Sequence, residues 1–222
     1  MLADVQDQVG QAAAERLTEK GAGRAEYRRL DVADGASVSA VADAIVRAHG
    51  RVDALVNNAG IAESSPTFEL DEATWQRTID IDLTGSFLCP REFGRRMCEG
   101  GNGGAIANVS SIAGFRAVRP ENHLAYDVAK AGVAQMTRVL AAEWAGYGIR
   151  VHAVAPGYTE TQILREVGRT DPGTMKAWLG QVPQGRLIQP QEIAGVVAFL
   201  VSAQASSVTG HVLFADAGYS AW

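Results

Sequence analysis

Two hydrophobic periods alternate along this chain. Short apolar runs of strand length are separated by stretches in which apolar residues recur every three or four positions, the repeat of a helix with one buried face. LADV (2–5) reads as a strand, and the stretch after it places Val9, Ala12, Ala13 and Leu17 along one side of a helix. AEYRRLDV (25–32) reads as the next strand, and Val38, Val41, Ala42, Ile45 and Val46 mark the following helix. DALVNNAG (53–60), GAIANVSS (104–111), RVHAVAP (150–156) and HVLFAD (211–216) are further strand-like runs. Helices are predicted over about 85–97 and 125–145, and Pro190 suits the first turn of a helix reaching about Leu200. Strands that alternate with helices predict an α/β fold: a doubly wound parallel sheet in three α/β/α layers. The glycine cluster at 100–104 falls between a helix and a strand, so it reads as a flexible turn rather than a phosphate cradle.

Composition narrows the classes. The 222 residues fit a single domain with a full-sized core, and 47% hydrophobic with 20% charged residues is ordinary for a globular protein. A net charge of −5 without Lys/Arg runs offers nothing to nucleic acid or an anionic membrane, and no stretch is long enough to span a bilayer. Met1 leads directly into LADVQ with no signal-peptide layout, which predicts a cytoplasmic protein. Cys89 and Cys98 fall on one predicted helix, about 13 Å apart along its axis, too far for a disulfide. The absence of a Cys/His cluster predicts no metal site.

The candidate chemistry lies in HLAYDVAKAG. Tyr126 and Lys130 are spaced i and i+4, so on a helix the phenol and the ammonium share one face. A phenol with a reference pKa of about 10 is a poor base at neutral pH, and a cation one turn away favours its ionised form. Ser111, upstream in NVSSIAG, supplies a hydroxyl that could hold a substrate oxygen. Alone, Tyr-x-x-x-Lys is also a common surface spacing.

Five segments in order, LVNNAG (55–60), NVSSIAG (108–114), YDVAK (126–130), RVHAVAPGYTET (150–161) and SSVTGHVLFADAGY (206–219), resemble the short-chain dehydrogenase/reductase family over nearly the whole chain. The resemblance implies a Rossmann-like fold lacking the family's first strand and helix, since the chain starts at what matches the second strand. Roughly 30 residues, the size of one βα step with its glycine-rich cofactor turn, are absent by this comparison. Two explanations compete: a misplaced start at Met1, or a real truncation that weakens cofactor binding.

The resemblance also assigns roles. Tyr126 is the implied proton acceptor, Ser111 the group that steadies the substrate oxygen, and Lys130 the cation that lowers the Tyr126 pKa and holds the nicotinamide ribose. Asp4, ending the first strand, would accept the adenosine ribose hydroxyls and repel a 2′-phosphate, implying NAD with NADP disfavoured; it could equally cap a helix. Asp31 and Val32 match the pair beside the adenine, although Asp31 could simply cap a turn. Asn58, Ala59 and Gly60 match the segment lining the cofactor, and Pro156, Gly157, Thr159 and Thr161 the loop over the nicotinamide and diphosphate. The family implies a homodimer or homotetramer, with the 125–145 helix at the contact.

This chain departs from the family pattern at several points. Asp82, in IDLTG, stands where the family usually has a catalytic Asn that orients a water leading to the lysine. His152 replaces a common Asn and reads as a packed strand residue; Ala217 replaces a frequent Gly. Pro90 falls inside a predicted helix, where it costs about 3 kcal/mol or forces a kink. The polar run IAGFRAVRPENHLA (112–125) resembles members acting on polyols and ketoses, and 158–186, with Trp178, reads as a substrate lid. The alternatives are a 3-oxoacyl thioester reductase and a degenerate, non-catalytic member serving as a binding or assembly partner.

Overall fold

A computed structural model describes residues 1–21 and 23–221. Strands and helices follow in the order β1 (Leu2–Asp4), α1 (Asp7–Glu19), β2 (Tyr27–Arg29), α2 (Gly35–His49), β3 (Ala54–Asn57), α3 (Glu72–Ile79), α4 (Gly85–Glu99), β4 (Gly104–Val109), α5 (Leu124–Trp144), β5 (Ile149–Pro156), α6 (Gln162–Thr170), α7 (Pro172–Gln181), α8 (Pro190–Val201) and β6 (Val212–Ala215). All pairing is parallel. β1 pairs with β2, and β3, β4, β5 and β6 form a four-stranded sheet in that order. The Rossmann-like α/β architecture expected from the sequence is present, with its strands in two hydrogen-bonded groups.

β4 lies between β3 and β5 and carries buried residues from Ala105 through Asn108. Ile106, with Val151 from β5, packs against Val38 and Met97 in a core closed by α2 and α4. Complete burial of such a side chain stabilises the fold by about 1.5–3 kcal/mol. The predicted strand at 25–32 contracts to Tyr27–Arg29, because β1 offers only Leu2, Ala3 and Asp4 to pair with it. The flanking polar groups find other partners. The Tyr27 hydroxyl lies 2.8 Å from both Asp7 Oδ1 and the Asp4 carbonyl, to either of which its proton can be donated, and Arg29 donates to the Val5 carbonyl at 2.7 Å.

Between α3 and α4 the chain makes a π-helical turn over Asp80–Thr84, so the two helices join without a loop. The helix that contains Pro90 continues to Glu99 despite it. Proline has no N–H for the Ser86 carbonyl one turn back. Asn57, at the end of β3, fills the place: its Nδ2 donates to the Ser86 oxygen at 2.9 Å and also to Asn108 Oδ1 at 3.2 Å. Asn108 Nδ2 passes the chain on to Thr137 Oγ1 at 2.9 Å. A buried polar thread therefore ties β3, β4, α4 and α5 beneath the candidate site.

Ala217 has φ of 54°, a left-handed conformation in which a Cβ is crowded by its own carbonyl. Its carbonyl accepts from the Gln184 N–H, which holds the turn in place. Ala217→Gly is expected to stabilise the protein by about 1 kcal/mol, read as a higher Tm. A lower Tm would mean that the turn carries no strain.

Candidate active site

Tyr126 lies in the first turn of α5 and Lys130 one turn further, so the predicted shared face exists: the Lys130 Nζ is 5.4 Å from the centre of the Tyr126 ring. Lys130 is buried, and its ammonium donates to the Val109 carbonyl at 3.1 Å and pairs with Asp82 Oδ2 at 3.2 Å. The π-turn carries Asp82 into this position, fully buried, with Oδ1 accepting from the Ile61 N–H at 2.8 Å. Oδ2 lies against the Lys130 ammonium, where opposite charge and hydrogen bonding both favour the pair. Gly60 makes room for the pair. A Cβ there would stand 2.7 Å from Asp82 Oδ2 and 3.0 Å from Lys130 Nζ.

Ser111 follows β4 and caps a 3-10 turn, accepting from the Ala113 N–H at 3.2 Å. Its hydroxyl also lies near enough to the Tyr126 phenol to favour the ionised form. Its neighbour Ser110 donates to the Lys130 carbonyl at 2.8 Å, fixing α5 to the strand end. Ser111, Tyr126, Lys130 and Asp82 thus form one contiguous cluster.

The electrostatics of that cluster depart from expectation. Burial holds the Tyr126 phenol above its ordinary pKa; the Ser111 hydrogen bond opposes this, and the carboxylates of Asp82 and Asp127 add to it. Burial is the largest cause of the rise, and the ammonium expected to lower the phenol lies against Asp82. Burial also raises the Asp82 carboxyl, against the pull of Lys130 and the Ile61 N–H.

Tyr158, after β5, forms the facing wall. Its ring stacks on Trp178 of α7 at 5.1 Å and meets Tyr219 edge-on at 5.8 Å. Glu121 joins this wall to the loop before α5. One of its oxygens accepts from the Trp178 indole N–H, and the Tyr158 hydroxyl lies 3.4 Å from the other and donates to the Arg119 carbonyl at 3.1 Å. Sequence reasoning placed Trp178 in a lid but missed Glu121, whose partners lie far along the chain. Asp127, also missed, is pushed up to about 6 by burial and by the Glu121 carboxylate. Glu121→Gln is accordingly expected to lower the Asp127 titration midpoint, followed by carboxyl carbon NMR; an unmoved midpoint would leave burial as the sole cause.

The remaining predicted positions lie at strand ends. Asp4 Oδ1 accepts from the Gln6 N–H at 2.9 Å and Asp31 Oδ1 from the Ala33 N–H at 3.0 Å, so both carboxylates stabilise turns while remaining exposed. Val32 packs on the first core cluster and against Gly85, where a Cβ would approach within 2.7 Å. Asn58, Ala59 and Gly60 are exposed beyond β3. Pro156 ends β5, Gly157 leaves no room for a Cβ beside Asp216, Thr159 bridges to Ile188, and Thr161 caps α6. His152 is fully buried, with Nε2 at 2.8 Å from Arg150, in agreement with its reading as a packed strand residue.

Residues 1–220 match the family pattern described as enoyl-(acyl carrier protein) reductase. Over 199 residues the chain is 48% identical to cis-4-hydroxycyclohexanecarboxylate dehydrogenase of Sinomonas cyclohexanicum, covering 89% of this chain and 78% of that protein. The chain belongs to the short-chain dehydrogenase/reductase family. It is also similar to the L-tagatose-forming galactitol 2-dehydrogenase of Cereibacter sphaeroides, 42% identical over 212 residues, covering 95% of this chain and 82% of that one. The crystal structure of levodione reductase superposes with a TM-score of 0.90 at 33% identity, covering 99% of this chain and 87% of that one. Short-chain dehydrogenase/reductases are oxidoreductases that work with a nicotinamide cofactor. Residues 58–60 are exposed beside the buried Lys130–Asp82 pair, which leaves them accessible to such a group.

Proposed function

We propose that this single catalytic domain, residues 1–222, oxidises a secondary alcohol to a ketone with NAD, and that its substrate is a polyol or a sugar-derived alcohol. The observation that carries the reading is the Lys130–Asp82 pair, buried one helical turn from Tyr126, with the Ser111 hydroxyl acting on the phenol. A phenol, a hydroxyl and a cation so grouped support a site for an alcohol oxygen. The cofactor, when bound, accepts the hydride released from the carbinol carbon. Tyr126 takes the hydroxyl proton, Ser111 holds the substrate oxygen, and Lys130 would hold the ribose hydroxyls from behind Tyr126. Burial excludes water from Lys130 and Asp82, which strengthens the attraction between them.

Asp4, Asp31, Val32, Asn58, Ala59, Gly60, Pro156, Gly157, Thr159 and Thr161 are assigned to the cofactor. The exposed Asp4 carboxylate favours NAD over NADP, because a 2′-phosphate would meet like charge. The polyol reading draws on the galactitol 2-dehydrogenase relative and on the polar groups of the mouth: Glu121, Arg119, Gln181 and Tyr158. A site built from such donors and acceptors rejects a substrate that leaves them unpaired. Exposed apolar residues on α5, Val128 and Val139, suit a homodimer or homotetramer contact. Among the described residues no helix is long and apolar enough to cross a membrane, and a cytoplasmic setting agrees with the composition.

The test is an initial-rate panel of hexitols, tetritols, glycerol and cyclic secondary alcohols with NAD and with NADP, alongside 3-oxoacyl thioesters with the reduced cofactors. Polyol oxidation with NAD supports the reading. Thioester reduction without polyol turnover would reverse it in favour of the acyl reductase alternative.

A further inference from the structure

Lys130 faces two groups, the Asp82 carboxylate in direct contact and the Tyr126 ring further off. The Asp82 carboxylate lies 3.2 Å from the ammonium in a fully buried site, whereas the Tyr126 ring centre lies 5.4 Å away. Asp82 has little freedom to move off. Its Oδ1 is fixed by the Ile61 N–H, its backbone is part of the π-turn, and Gly60 leaves it a fitted gap. Among the described residues, Oδ2 meets only the cation.

We infer that Asp82 is a positioning residue that holds Lys130 by charge and thereby shifts the proton exchange of Tyr126 to a more alkaline range than an uncharged residue at this position would set. The carboxylate acts twice in the same direction: it neutralises the ammonium that would favour phenolate, and it places a negative charge near the phenolate itself. The other titratable groups around Tyr126 are Asp127 and Lys130 on α5, His123 at the head of that helix, with rings of His123 and Tyr126 5.9 Å apart, and the phenols of Tyr158 and Tyr219 in the same packed cluster. Burial pushes the His123 imidazole down, while the Glu121 carboxylate pulls it up and also raises Asp127, Tyr158 and Tyr219. Of these groups, Asp82 alone combines a negative charge with contact to Lys130. The sign for catalysis follows. Alcohol oxidation needs Tyr126 able to accept a proton, so a shift of Tyr126 upward moves the acid limb of the rate profile to higher pH.

The catalytic consequence rests on the alcohol-oxidation reading, but the charge relation does not, and one experiment separates them. Tyrosinate absorbance is titrated in the protein without added cofactor, and the Tyr126 component is isolated by subtracting the curve of Tyr126→Phe made in the same background. Asp82→Asn keeps the shape and removes the charge; Asp82→Ser removes the charge with a smaller side chain that needs no extra room. Thermal melts check that each variant is folded. Both uncharged variants are expected to lower the Tyr126 midpoint. Where an alcohol is turned over, kcat/KM at a fixed pH on the acid limb should rise roughly 3- to 10-fold. An unchanged or raised midpoint in either folded variant overturns the inference. A lowered midpoint with no alcohol oxidised by any form upholds the inference and removes the functional reading.

Discussion

Tyr126→Phe is expected to lower kcat/KM for the alcohol by roughly 10²- to 10⁴-fold, the range associated with a positioned general acid or base. The substitution removes one oxygen and leaves the ring, which packs with Ile112, Ala113 and Tyr158 in the cluster beneath the lid. Stability and cofactor affinity should therefore change little. Ser111 loses its partner in the phenol but keeps the Ala113 N–H, so the 3-10 turn stays capped. The informative measurement pairs the rate loss with a cofactor titration by tryptophan fluorescence. Loss of rate with retained affinity locates the proton step at the phenol. A retained rate would move that step to another group and leave the Ser111–Tyr126 contact a packing feature.

Asn57→Leu is expected to destabilise the fold by about 3 kcal/mol, because it removes a donor from two buried acceptors and supplies nothing in exchange. The Ser86 carbonyl loses its stand-in for the missing Pro90 N–H, and Asn108 loses a partner in the thread that reaches Thr137. For a chain of this size the loss corresponds to roughly 6–12 °C in Tm. Pro90→Ala supplies the partner: an alanine N–H can reach Ser86, so the cost of Asn57→Leu should shrink in that background. Additive effects in the double-mutant cycle would mean that Asn57 and Pro90 are not coupled.

The sequence disclosed most of the fold because helix and strand periods are clean wherever one face is buried. α2, with Val38, Val41 and Ala42 inward, and β5, buried from Val151 to Ala155, follow from pattern alone. The turn at 100–104 was equally readable, since Gly101 and Gly103 both take positive φ. β2 proved shorter than its apolar run because strand length is set by the partner, β1, and not by the strand's own residues. Pro90 was legible as a cost, but its compensation by Asn57 joins positions far apart in sequence. The same holds for Glu121 and Trp178, whose pairing depends on how α7 folds back over the loop before α5.

The catalytic cluster was legible as a set and not as a circuit. Spacing put Tyr126 and Lys130 on one face, Ser111 stood out as a hydroxyl upstream of them, and the family resemblance added Asp82. Which neighbour engages the lysine depends on the π-turn and on the space left by Gly60, neither of which has a periodic signature. That is why the expected effect of Lys130 on Tyr126 gives way here to an Asp82–Lys130 pair.

Hydride transfer itself is the most direct test. Secondary alcohols deuterated at the carbinol carbon, beginning with a hexitol and a cyclic alcohol, are incubated with the protein and NAD, and the nicotinamide product is read by proton and deuterium NMR. Deuterium at C4 of the nicotinamide, absent when Tyr126→Phe replaces the parent protein, is the predicted result. A nicotinamide that carries no label from any of these alcohols, while the same preparation binds NAD, would contradict the account.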